Sequence, residues 1–159
     1  MSLLALLLAT FTVAHAQTND NDVFQLPKTR TVFTLVRNIT LPTDRNAELW
    51  IQQGHVGNGE RLHRNIPACT LRHYGRGTTL TRGTAYPMPD SVIRGGPLSF
   101  RAIPIERRTG MVLDCASQVD YGRFGPYLAG DLNRLGRLTV GQLRQALQGV
   151  FTVTILPRR

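Results

Sequence analysis

Two cysteines, Cys69 and Cys115, a single tryptophan, Trp50, and a single lysine, Lys28, are all that the chain has of these residue types, and each scarcity excludes a class of site. Neither cysteine belongs to a C-x-x-C pair, which argues against a thiolate metal centre. The glycines of residues 75–89 are at neither P-loop nor dinucleotide-binding spacing, and no lysine follows them. Acidic residues are few, 10 against 19 basic, and the Asp/Asn run at 19–22 has neither the glycine nor the distal glutamate of an EF-hand loop. Beyond the first residues no apolar run approaches the roughly 18 residues that a spanning helix needs. The composition therefore demands no cofactor and no metal, and the mature protein is expected to have no stable membrane insertion.

What the chain does have begins at its start. Residues 2–13 form an uncharged, leucine-rich run, followed by Ala14-His15-Ala16 and then Gln17. An apolar core followed by small residues in A-x-A order is the layout of a secretory signal, although the usual basic residue ahead of the core is missing. The expectation is cleavage near Ala16 and an exported, periplasmic or secreted product. No cysteine follows the cleavage site, which argues against lipid attachment there.

Export supplies an oxidising compartment, where a Cys69–Cys115 disulfide is expected and two buried free thiols are the alternative. The cysteines are 46 positions apart (115 minus 69). On the chain-entropy model, closing such a loop constrains the unfolded state by about 4 kcal/mol. Leu71 and Leu113 each stand two residues from a cysteine, so on extended chain each shares the face of its cysteine.

Without residues 1–16 the chain has 143 residues (159 minus 16), enough for one domain and short for two. Residues 17–30 are polar and read as a flexible lead-in, and residues 31–159 as a single β-rich domain. The signal segment carries no charged side chain, so the mature chain keeps the full formal charge of +9, with 18 arginines and a pI near 11.0. Such a chain is drawn electrostatically to polyanions.

Residues 31–36 are rich in β-branched and aromatic side chains and predict a strand, continued in extended form at 39–41. Residues 47–53 alternate, with Leu49 and Ile51 on one face and Glu48, Trp50 and Gln52 on the other; Trp50 is expected to cover the open side of a sheet or to touch a partner. Residues 54–61, with three glycines, predict a hairpin connection or a mobile loop. Residues 68–74 carry Cys69 on a strand. Residues 75–89 read as a long ordered loop or an edge strand with a wide turn, and 90–97 as a short extended piece. Residues 98–108 predict a strand that Pro104 confines to an edge or bulge, returning through Thr109-Gly110 into 112–115. Residues 116–136 read as irregular, carrying Asp120, Arg123, Asp131 and Arg134, which could be functional and are as well explained by surface pairing. Thr139 and Gln142 match a capping box, Leu143, Ala146 and Leu147 fall at helical spacing, and Gly149 is placed to end the helix. Residues 151–155 alternate as a final strand. The sum is a mainly β fold, a small antiparallel β-sandwich or barrel with one short C-terminal helix and one disulfide.

The Leu49-Trp50-Ile51-Gln52-Gln53-Gly54 strand, Pro67-Ala68-Cys69, Leu113-Asp114-Cys115 and the closing run from Leu138 to Leu147 together resemble a group of small exported proteobacterial proteins of unknown function. The resemblance covers roughly residues 31–156 and rests on structural motifs. It implies a periplasmic, disulfide-bonded β-rich domain and carries over no catalytic residue.

Three function classes follow. In the first, a non-enzymatic envelope protein binds an anionic cell-envelope polymer or an envelope protein through Arg61, Arg64, Arg72, Arg76 and Arg82, with Trp50 and Tyr74 near in sequence; nucleic acid would bind without specificity. A solvated basic face has the same composition. In the second, a secreted phosphodiesterase or ribonuclease-like hydrolase uses His55, Glu60 and His63 for proton transfer while Arg61 holds phosphate; His73 is a third imidazole. Against it, loop tips gather polar residues without catalytic purpose. In the third, a structural subunit donates edge strands to an extracellular assembly.

Overall fold

The computed structural model describes residues 20–21, 31–44, 48–72, 77, 79–87, 102–106, 111–129 and 138–156. The expected signal at 1–16 lies outside them, as do His73, Tyr74, Arg76, Asp131, Arg134 and the extended piece expected at 90–97.

The described chain forms twelve strands and one helix. They run β1 (Thr31–Leu35), β2 (Ile39–Thr40), β3 (Leu49–Gln52), β4 (His55–Gly57), β5 (Ala68–Arg72), β6 (Thr79–Leu80), β7 (Ala85–Pro87), β8 (Ala102–Glu106), β9 (Met111–Ala116), β10 (Gln118–Gly122), β11 (Gly125–Ala129), α1 (Val140–Leu147) and β12 (Phe151–Ile155). Every pairing is antiparallel. The largest sheet has the order β4-β3-β5-β9-β8, a second has β12-β1-β7, and β10-β11 and β2-β6 form two-stranded ribbons. Among the described residues the sheets do not close into a barrel, and the fold is mainly β with antiparallel sheets, compatible with the sandwich-like architecture of the two expected.

Alternation decides which residues the sheets share. Ile51, Cys69 and Cys115 stand in one row across β3, β5 and β9, and Leu49, Leu71 and Leu113 in the next row on the same face. This face meets Phe33 and Leu35 of β1, Tyr86 of β7 and Phe151 and Val153 of β12 in the main core, which Leu143, Ala146 and Leu147 of α1 complete. Phe33 and Phe151 meet edge to face with centroids 6.4 Å apart, an arrangement aromatic pairs favour. The Cys69–Cys115 disulfide joins directly opposed residues of β5 and β9 whose Cα atoms are 4.1 Å apart, the close spacing of a non-hydrogen-bonded antiparallel pair.

The end of the chain follows its local signals. Thr139 Oγ1 accepts from the Gln142 amide and the Gln142 side chain accepts from the Thr139 amide, closing the capping box. Gly149 takes φ 72° just beyond the helix, the left-handed region where glycine costs least. Pro104 sits on the edge strand β8, beside a register shift between Pro104 and Glu106.

Two expectations need correction. Residues 116–136 are not irregular throughout: β10 and β11 form a hairpin in which Gly122 faces Gly125 across Arg123-Phe124. The stretch at 54–61 is not one connection, because β4 occupies its first half and the turn itself is Gln53-Gly54, at φ 47° and 83°. Of the lead-in only Asp20 and Asn21 are described: the Gly141 amide donates to the Asp20 carbonyl and Arg144 pairs with the Asp20 carboxylate. Among the described residues no helix is long and apolar enough to cross a membrane.

Candidate functional site

The outer face of the five-stranded sheet, away from the disulfide, carries Trp50, Gln52, Ala68 and Thr70. Trp50 is only 5% exposed and forms a second core with Leu62, Ala68 and Val119, against which Tyr121 and Leu128 pack. The tryptophan is thus a covering residue and is not offered to a partner. Its cover comes from the loop 58–67 and from the β10–β11 hairpin.

Gln52, 3% exposed, fixes that loop. Its side-chain amide donates to the carbonyls of His63 (3.0 Å) and Ile66 (3.2 Å), and its Oε1 accepts from the His63 amide (2.7 Å). The Tyr121 hydroxyl donates to the Leu62 carbonyl at 2.7 Å, and the Asn65 amide donates to the Val119 carbonyl. Gly59 approaches so closely that a Cβ there would lie 2.8 Å from Pro126 Cγ and 3.0 Å from Trp50 Cδ1. With Leu62 drawn inward, Arg61, His63 and Arg64 are left on the outer side of a loop pinned along its length to the hairpin.

The hairpin presents the most exposed apolar surface among the described residues. Phe124 at its turn is 97% exposed and Tyr127 49%. The Arg123 guanidinium lies 5.9 Å from the Phe124 ring centroid, and that of Arg64 lies 5.3 Å from the Tyr121 ring, both within cation–π range. Asp120 accepts from the Tyr127 hydroxyl and stands 3.8 Å from Arg64. The site is a ring-and-guanidinium surface on two pinned backbone segments.

The arginines expected to act together are dispersed. Arg61 and Arg64 flank the hairpin. Arg72, on β5, is half-exposed and engaged by Glu48 (3.5 Å) and Asp114 (3.4 Å), which neutralise it. Arg82 lies in the β6–β7 turn, on another sheet, its backbone amide held by Asn38 at 2.8 Å. Composition marks Arg123 as functional or surface-paired, outside the dense basic stretch, and does not mark Phe124 or Tyr127 as contact residues. The glycine pair of Gly122-Arg123-Phe124-Gly125 bracketing a two-residue turn, after the alternation of 118–121, was the available signal.

His55 and Gln52 oppose each other across the β3–β4 turn, whereas Glu60 and His63 are exposed on the following loop. Among the described residues no hydrogen bond or ion pair joins His55, Glu60 and His63, and no group of three His, Cys, Asp or Glu residues is placed to hold a metal. The fold therefore does not bring His55, Glu60 and His63 into hydrogen-bonding contact with one another.

Comparison with known proteins returned no match: no family model, no curated protein and no solved structure.

Proposed function

We propose that this chain is an exported cell-envelope protein, processed near Ala16, that binds an anionic envelope polymer through Arg61, Arg64 and Arg123 around the β10–β11 hairpin. The observation that carries the reading is the imbalance of charge pairing. Of the seven described arginines, Arg64, Arg72 and Arg144 have a carboxylate within 4.0 Å, whereas Arg37, Arg61, Arg82 and Arg123 have none among the described residues. Unpaired guanidiniums repel one another and lower the compact state's stability, and an anionic partner relieves that repulsion. Arg61 and Arg123 stand on neighbouring pinned segments, so one polyanion reaches both with little ordering cost on the protein side.

The disulfide agrees with an oxidising compartment, and export is the part of the reading that depends on residues 1–16. Of the edge strands, β8 and β7 carry Pro104 and Pro87, which have no amide to give to an added strand, whereas β4 and β12 carry no proline, so the assembly alternative stays open.

The test is retention of the purified chain on immobilised heparin and lipopolysaccharide across a salt gradient, beside a basic control protein of matched net charge. The proposal expects later elution than the control, with the excess fading as salt rises. Co-elution with the control would reduce the charge to composition and sink the reading.

A further inference from the structure

The Phe124 ring is the feature that polyanion binding leaves unexplained. A phenylalanine almost wholly in water, at the apex of a hairpin turn, gains nothing from the fold. The hairpin beneath it is not loose. Val119 and Leu128 join the second core, Pro126 closes on Gly59, and the Tyr121 hydroxyl is tied to Leu62. The fold thus holds an apolar ring outward on a firm support, with Arg123 beside it, and with Arg61 and Arg64 on the loop running alongside.

We propose that the β10–β11 hairpin is a wedge that seats on an anionic lipid surface, Phe124 entering the boundary between headgroups and acyl chains while Arg123, Arg61 and Arg64 face lipid phosphates. The shape selects this occupant. A turn apex is convex and offers one ring, whereas successive bases of single-stranded nucleic acid need a run of ring faces along a groove. Phe124 and Tyr127 supply too little area for a stable protein interface, which buries roughly 1,600 Å². A lipid boundary asks only for an apolar tip of 5–10 Å depth with cations around it. An arginine beside the tip can keep its stem among the lipids and its guanidinium at the phosphates. Tyr127, with its hydroxyl bound to Asp120, has the amphipathic form found in the interfacial layer. This is peripheral seating, in which only the hairpin tip enters the boundary layer.

The proposal rests on the polyanion reading for its cationic half only, and the experiment separates the two. The purified chain is sedimented with phosphatidylglycerol–phosphatidylethanolamine vesicles and with phosphatidylcholine vesicles, in parallel with heparin retention. Binding to the anionic vesicles is expected. Phe124→Ala should weaken it about tenfold, the worth of burying most of one phenylalanine, and leave heparin elution unchanged. Phe124→Trp should keep vesicle binding and be quenched by lipids brominated on the acyl chain, whereas the wild-type chain, with only the buried Trp50, should not. Vesicle binding indifferent to Phe124→Ala, an unquenched Phe124→Trp, or a Phe124→Ala defect seen on single-stranded DNA in place of vesicles would each overturn the wedge. In the first of these cases, normal heparin retention leaves the polyanion reading standing. Vesicle binding that depends on Phe124, with heparin elution no later than the control, upholds the wedge and removes that reading.

Discussion

The side-chain amide of Gln52 takes the place of a strand partner for the loop after β4, donating twice and accepting once through bonds of 2.7–3.2 Å. Gln52→Ala leaves the part-buried carbonyls of His63 and Ile66 short of a donor, and should cost about 1 kcal/mol. Hydrogen exchange at the His63 amide reports it directly: faster exchange is expected, and unchanged protection would show that the loop is held elsewhere. Gly59 is the second such position. At φ 93°, with Pro126 and Trp50 both within 3.0 Å of a built Cβ, Gly59→Ala meets backbone strain and overlap together. A loss of about 2 kcal/mol in denaturant melts is expected, with Trp50 emission shifted to the red as its cover lifts. Neither role was legible beforehand. The pattern placed Gln52 on the polar face without saying that the face is covered, and the segments that bury Trp50 lie far from it along the chain.

At the scale of elements, the readable ones were those whose signal is local. β-Branched and aromatic composition marks β1, alternation marks β12, the capping box marks α1, and Pro104 marks β8 as an edge strand with a register shift. Replacing the cap residue, Thr139→Ala, removes the acceptor for the Gln142 amide and should destabilise the protein by about 1 kcal/mol. A thermal melt unchanged within error would mean that tertiary packing alone holds the helix start. The elements that escaped are short or rich in breakers. β4 spans three residues between glycines, and β10–β11 contains Gly122, Gly125 and Pro126. Composition weighs such residues as loop, whereas in the fold the two glycines face each other at the turn and Pro126 packs on Gly59. The division into four sheets was likewise illegible, because strand partners are set by contacts distant in sequence.

Across the whole molecule, one disulfide ties the central strands of the largest sheet together and sits within the main core. The Cys69→Ala, Cys115→Ala double variant keeps that face apolar and should lose about 4 kcal/mol from the entropy of the closed loop, to which lost packing adds. Equilibrium unfolding of the oxidised wild type against the variant checks it, and equal stability would assign the bridge no thermodynamic part. The formal charge of +9 is the molecule's other global property, and the account gives weight to where the guanidiniums stand more than to how many there are. Arg61 and Arg64 were legible as a dense basic stretch. Arg123 was not, since its place beside them depends on a hairpin the sequence concealed, and Arg82, which the same stretch seemed to include, lies on another sheet. The most direct measurement is salt-gradient elution from heparin of two double variants of equal charge, Arg61→Ala with Arg123→Ala and Arg37→Ala with Arg82→Ala. Earlier elution of the first pair than of the second is predicted. Equal shifts would contradict a localised site and leave only diffuse attraction.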